Sequence, residues 1–318
     1  MHTYSLFGLA LASDVPFIRP LRAGAGQPDL TFTCQAEPPF EVAPAALTPT
    51  RSTQQTDERL RMPRVLRTEA CDVVQVADEI TFYIRHDRII CHLSDPARFD
   101  RVEMYFLAAA LPYWMEQRGI PVLHASSVVV DGQALGFMAR SRTGKSALAA
   151  TFVQQGALLL SDDPLVVRME GESVVAYPGV PQMRMWADQA QQFLGYSETL
   201  PRVHPTLAKR FVPISAVGGF CKEPQPLTRL YLLDRQTTSQ DADPVGIKVL
   251  AVAPTQALFQ LVNNSYIART FAAREYQQRR LALLAPLAKR VAVRRLLYPS
   301  GYEHLPAVRE AILRDLNV

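Results

Sequence analysis

The sequence predicts an α/β fold in two parts, and three observations predict it. Residues before about 98 read as a series of short strands. The middle of the chain sets a strand, a turn, a helix and a second strand in immediate succession, and the remainder alternates strands with helices. With 318 residues, 48% hydrophobic and 20% charged, there is material for two ordinary cores. The expected division is a strand-rich N-terminal domain over 1–98 and a larger α/β domain over 99–318.

Composition narrows the partners. A net charge of +4 over this length lacks the concentrated basic patch of a nucleic-acid binder, so no nucleic acid is expected. No apolar run reaches the roughly 18 residues of a membrane span. The opening MHTYSLFGLALASDVPF has no basic stretch before its apolar run, and reads as a buried strand rather than a signal peptide. No membrane partner is expected, and the localisation expected is cytoplasmic. The cysteines Cys34, Cys71, Cys91 and Cys221 show no metal-ligand spacing and read as free thiols of a reducing compartment.

In the first part, Tyr4–Ala12, Leu30–Cys34, Val73–Val76, Ile80–Arg85 and Ile89–His92 are the strand segments, with a loop over Glu37–Arg64. From Asp100 to Arg118 apolar residues recur at helical spacing, and Pro112 should kink or split that helix. Val122–Val130 and Ala134–Ala139 form a hairpin around Asp131-Gly132. A turn over Arg140–Thr143 leads into a helix from Lys145 to Gln155, ended by Gly156. The strand Ala157–Leu160 then runs into Ser161-Asp162-Asp163. Farther on, Ser173–Tyr177, Leu227–Asp234, Gly246–Ala253 and Val291–Tyr298 read as strands. Pro254–Thr270, Arg274–Lys289 and Leu305–Leu316 read as helices.

The chemistry gathers in this middle stretch. Ala139-Arg140-Ser141-Arg142-Thr143-Gly144-Lys145-Ser146 matches G-x-x-x-x-G-K-[ST] except at its first position, where alanine stands for glycine. Such a loop turns backbone N–H groups inward onto phosphate oxygens at a helix N-terminus. Ser141, Arg142, Thr143, Gly144, Lys145, Ser146 and Ala147 are the candidate nucleotide-binding residues. Lys145 is expected at the β- and γ-phosphates and the Ser146 hydroxyl on Mg²⁺. Asp162-Asp163, at the C-terminal end of a buried strand, lies where open α/β sheets bind ligands. One carboxylate there can orient the metal while the other accepts a proton from a substrate hydroxyl. As a turn before Pro164 the pair has a purely structural reading as well, and a lone His124 at the start of a strand is more often structural.

His124, Lys145-Ser146 and Asp162-Asp163, in that order and spacing, resemble the core of bacterial HPr kinase/phosphorylase. The stretch LHASSVVVDGQALGFMARSRTGKSALAATFVQQGALLLSDD carries the likeness. Together with Tyr177–Trp186, it is most similar to HPr-kinase-related serine kinases that phosphorylate the C-terminal serine of lasso-peptide precursors. The resemblance implies an α/β fold with a P-loop kinase core of the HPr kinase/PEP carboxykinase type, and ATP and Mg²⁺ as cofactors. It implies Asp162 as the base, with His124 hydrogen-bonded near it, Asp163 and Ser146 at the metal, and Lys145 at the phosphates. Arg140 and Arg184 are candidate substrate or phosphate contacts. Lys209 and Arg210 read either that way or as surface charges. No counterpart of the glycine-rich segment of the bifunctional enzymes follows the aspartates, so phosphorylase activity is not carried over. The partner expected is a peptide or small protein carrying the acceptor serine. The resemblance leaves room for a homo-oligomer, HPr kinases being hexameric. Two other readings stay open: a nucleotide-binding regulatory or peptide-binding module without transfer, and a kinase for a small metabolite.

Overall fold

The computed structural model describes residues 1–39, 63–76, 80–93, 99–204, 207–236, 246–266 and 274–317. They form a mixed α/β protein with several sheets and two compact units, Met1–Ile120 with Tyr266–Arg280 and Pro121–Ser265 with Leu281–Val318. The chain is therefore not divided at 98/99. The helical segment that begins at Phe99 belongs with the first unit, because its apolar face completes that unit's core.

In the first unit β1 (His2–Leu6), β2 (Leu9–Ser13), β3 (Arg22–Ala23), β4 (Leu30–Gln35), β5 (Arg64–Arg67), β6 (Asp72–Val76), β7 (Ile80–Ile84) and β8 (Arg88–Leu93) make one sheet. Its order is β3-β1-β2-β4-β8-β7-β6-β5. The run Tyr4–Ala12 is thus two strands instead of one. Phe7 and Gly8 both take positive φ and close a hairpin with Leu6 opposite Leu9. Phe7 hid this turn from sequence reading because it is apolar and buried (1% exposed) where a polar turn residue is usual. Of the expected loop Glu37–Arg64, residues 40–62 lie outside the described residues, and Arg64 already starts β5. The helix after β8 runs as α1 (Phe99–Tyr105), a π-helical stretch Phe106–Ala110, and α2 (Leu111–Gln117). The wide turn precedes Pro112, which has no N–H to give and whose ring crowds the carbonyl one turn back. Phe106 packs on Phe32 with ring centroids 4.3 Å apart.

The second unit begins with β9 (Val122–Leu123), β10 (Ala125–Val130) and β11 (Gln133–Met138). It continues with α3 (Lys145–Gln154), β12 (Leu158–Asp162), β13 (Leu165–Glu170) and β14 (Ser173–Tyr177). Then come β15 (Gln182–Trp186), α4 (Ala187–Leu194), β16 (Lys209–Pro213), β17 (Gly219–Phe220), β18 (Gln225–Gln236) and β19 (Lys248–Ala251). The helices α5 (Pro254–Asn263) and α6 (Arg274–Arg290), strand β20 (Ala292–Pro299) and helix α7 (Leu305–Leu316) complete it, the first turns of α6 falling in the first unit.

The main sheet has the order β17-β12-β10-β11-β18-β14-β13-β9, with β20 beside β18 and β19 beside β20. Alternate side chains of β11 enter two cores. Leu135 and Phe137 join α3, α7 and β15, whereas Ala134 and Met138 join α5 and α6. A sheet covered on both faces reads as an apolar run, which is how β10 and β11 look in sequence. Helix α3 is buried nearly all round, and Leu148, Phe152 and Val153 each contribute about 1.5–3 kcal/mol of burial. That packing holds its N-terminus rigidly against the ends of β10 and β12.

Candidate active site

The turn between β11 and α3 is held by its carbonyls. Tyr298 Oη donates to Thr143 O at 3.0 Å, and Arg235 Nη2 donates to Arg142 O at 3.0 Å. Gly144 takes φ +112°, and a Cβ there would lie 3.2 Å from the Tyr298 hydroxyl, so glycine is required at this corner. With the carbonyls fixed outward, the backbone N–H groups of Gly144, Ser146 and Ala147 have no protein acceptor among the described residues. Free amides at a buried helix N-terminus make an anion site. Ala139, the departure from the glycine pattern, is 7% exposed, and its carbonyl accepts the Lys145 ammonium at 3.0 Å.

Two side-chain chains meet at that N-terminus. In the first, Lys145 Nζ lies 2.9 Å from His124 Nε2, and His124 Nδ1 lies 2.5 Å from Asp163 Oδ1. With Nε2 accepting from the ammonium, the ring proton sits on Nδ1 and faces the carboxylate. Asp163 Oδ2 is 3.3 Å from Arg184 Nη2. In the second, Asp162 accepts from Ser126 Oγ at 2.5 Å, from Ser146 Oγ at 3.0 Å and from the Arg184 backbone N–H at 2.7 Å. His124 therefore meets Asp163, not Asp162 as the resemblance implied. The reason is the backbone: Asp162 is the last residue of β12 and faces α3, while Asp163 leaves the strand at φ +54° and turns to the His124 side.

The electrostatics follow from this packing. Burial alone would raise the Asp163 pKa, but His124, Arg184 and Lys145 reverse it and hold the carboxyl well below the usual carboxylate range. Of the described non-glycine residues, Phe7, Asp131, Arg142 and Asp163 have positive φ. The first two sit in hairpin turns and the other two in this site, where strained backbone points to function.

The hairpin-like pair β15–β16 supplies the remaining wall, with Trp186 opposite Lys209. Arg142 at φ +67° lays its guanidinium over the Trp186 ring at 4.2 Å, and Lys209 Nζ lies 5.9 Å from the same ring. Burial, and next the Arg184 charge, lower the Lys209 pKa, while Asp163 and Asp162 oppose this. Lys209 thus belongs to the site's field and is not a bystander surface charge. Its neighbour Arg210, 8% exposed, turns to the other face of β16 opposite Met185, away from the carboxylates. Arg140 and Ser141 stand exposed.

Of the residues singled out from sequence, the structure brings together His124, Lys145, Ser146, Asp162, Asp163 and Arg184, with Thr143, Gly144 and Ala147 behind them. Sequence reading missed Ser126, Trp186, Arg235 and Tyr298, along with the elements β13, β15, α4 and β16. Ser126 sits in an apolar run with no motif, and Tyr298 is remote in the chain, so neither carries a local signal. No protein-family model matches the chain, and no curated protein matches it in sequence. Its structure is similar to that of the Hpr(Ser) kinase/phosphatase from Coxiella burnetii, with a TM-score of 0.31 and 11% identity, over 62% of this chain and 95% of that one. At that level the likeness carries no functional weight, which rests on the geometry of the site.

Proposed function

We propose that this protein is an ATP- and Mg²⁺-dependent kinase that transfers the γ-phosphoryl group to a serine hydroxyl. The observation that supports it is the convergence of Lys145, Ser146, Asp162, Asp163 and His124 at a helix N-terminus where the Gly144, Ser146 and Ala147 amides have no acceptor among the described residues. In this reading the loop amides and Lys145 bind the phosphates and neutralise charge that develops on the transferring group.

The donor set fits Mg²⁺. The Ser146 hydroxyl and the Asp162 carboxylate are hard oxygen donors already within 3.0 Å of each other. Mg²⁺ keeps waters and takes substrate phosphates, needing only one or two protein oxygens. When bound, the metal would supply charge neutralisation between the phosphates.

Asp163, oriented by His124 and Arg184, then faces the acceptor hydroxyl. This exchanges the roles that the resemblance implies for the two aspartates, and the Ser146–Asp162 and His124–Asp163 contacts are what support the exchange. A carboxylate of lowered pKa is a weak base, yet phosphoryl transfer through a loose transition state asks chiefly for positioning, with the proton moving late.

The acceptor class rests on the likeness of Tyr177–Trp186 to the lasso-peptide precursor kinases, and the C-terminal serine of such a peptide is the substrate proposed. Mass spectrometry of a serine-terminated precursor peptide incubated with protein, ATP and Mg²⁺ tests it. A gain of one phosphate at the terminal serine is the expected result. Nucleotide binding in calorimetry without transfer to any peptide would favour the second reading, a nucleotide-binding module. The Arg142–Trp186 stack and the Lys145 ammonium already engaged by His124 and Ala139 are the observations on its side.

A further inference from the structure

Strand β15 turns Arg184 and Trp186, two residues apart, to one face, and Arg184 there meets Asp163. Lys209 on β16 stands opposite Trp186, half-buried, with its Nζ 5.9 Å from the indole ring. The Arg142 guanidinium lies over the same ring at 4.2 Å. Among the described residues neither of these two cations makes a hydrogen bond or an ion pair. Other basic groups of the site are committed, Lys145 to His124 and the Ala139 carbonyl, and Arg184 to Asp163. Holding an ammonium partly out of water without an anion costs free energy that an arriving anion offsets. The charges acting on Lys209 also place it: Arg184 is felt most, then Asp163, ahead of Asp162 and Lys145. Coulomb interaction falls with distance, so the ammonium stands on the Asp163 side rather than the Lys145 side.

We infer that Lys209 is a specificity residue that binds a carboxylate of the acceptor, next to the hydroxyl that receives the phosphoryl group. The inference rests on the kinase reading above for the position of that hydroxyl, and it gives the terminal serine a recognition element. In a C-terminal serine the α-carboxylate is attached to the carbon beside the hydroxymethyl group, so hydroxyl and carboxylate oxygens lie roughly 3–4 Å apart. A cation that reads the carboxylate must therefore stand near the base without being consumed by it. Lys209 meets both conditions, since it senses Asp163 and Asp162 but pairs with neither. A carboxylate entering beside two aspartates is repelled unless a positive charge compensates, and Lys209 supplies that charge, with Arg142 on the same indole as a second cation. An internal serine presents a neutral amide at the same place and leaves the ammonium unpaired. The arrangement thus discriminates between chain-terminal and internal serines by one charge.

Calorimetry with a serine-terminated peptide, as the free acid and as the C-terminal amide, tests this on the native chain, Lys209→Met and Lys209→Gln. The native chain is expected to bind the acid about tenfold or more tightly than the amide, the usual worth of a charge-assisted contact. In both variants the gap should shrink to within about twofold. Two charge-free replacements are used so that a folding defect in one, seen in its thermal melt, leaves the other to decide. Equal affinity of the native chain for acid and amide, binding of neither, or a gap that survives in the variants would overturn the assignment. So would a loss of Mg²⁺-ATP affinity in the variants with the gap intact, which would put phosphate at Lys209 instead. Each of these outcomes leaves the kinase reading to its own assay. Conversely, an acid peptide that binds through Lys209 but gains no phosphate from Mg²⁺-ATP would overturn the kinase reading and leave the carboxylate contact standing.

Discussion

At the scale of single residues, the site is two short chains of polar contacts that share one helix N-terminus, and each chain makes its own prediction. Lys145 reaches both the loop, through the Ala139 carbonyl, and His124. Lys145→Met is expected to lower kcat/KM by about 10²–10³-fold, the usual cost of losing one charge-stabilising donor, as steady-state transfer assays would show. The aspartates should separate by their metal dependence. Asp162→Asn, which weakens the Ser146 side, is expected to raise the Mg²⁺ concentration for half-maximal rate. Asp163→Asn is expected to abolish transfer with ATP affinity largely kept. The opposite pattern in a Mg²⁺ titration would return the roles to those implied by the resemblance. Asp163 also links to stability. Its folded pKa is depressed, so its contribution is fully present above the ordinary carboxylate pKa of about 3.9 and is lost as pH falls from there through the lower folded value. Below about pH 4, Tm should therefore fall more steeply for the native chain than for Asp163→Asn in thermal melts.

At the scale of elements, the decisive feature is a turn stiffened from outside. Tyr298 on β20 and Arg235 on β18 hold loop carbonyls, so the turn's shape depends on strands far along the chain. Gly144→Ala places a side chain at φ +112° and at 3.2 Å from Tyr298 Oη. A left-handed residue with a Cβ costs roughly 1–2 kcal/mol, and the amides would be re-aimed. A drop in Tm of a few degrees, together with loss of nucleotide binding, is the expected outcome. The second element of note is β15. Arg184 reaches Asp163 with its side chain and Asp162 with its backbone N–H, so one strand residue orients both carboxylates. The Arg142–Trp186 stack also accounts for an arginine in a loop that usually carries small residues: its side chain lies on β15 instead of filling the phosphate cradle.

At the scale of the whole molecule, the residues of the site all belong to the second unit. Nucleotide and metal binding should stabilise that unit by mass action, by about 2.7 kcal/mol at a hundredfold excess over Kd. Hydrogen exchange read with and without Mg²⁺-ATP is expected to show added protection concentrated in Lys145–Gln154, Leu158–Asp162 and Gln182–Trp186. Protection confined to residues of the first unit would contradict the assignment of the site. Among the described residues no helix is long and apolar enough to cross a membrane.

Much of this was legible before any coordinates. The sequence alone determined the strand, turn and helix around Gly144-Lys145-Ser146, because Asp131-Gly132, Gly144 and Gly156 punctuate apolar runs whose periods change with each element. That His124 stands with Lys145 and the aspartates was implied only by the resemblance, since a single histidine at a strand start carries no signal of its own. Only the tertiary structure decided which aspartate meets His124. That depends on where β12 ends, and a strand boundary shifted by one residue exchanges the two side chains between faces. It decided as well that Arg184 and Trp186 sit on a strand against the carboxylates, and that Tyr298 and Arg235 hold the loop. Those contacts join residues with no local pattern in common, and only the closing of the sheet brings them within hydrogen-bond distance.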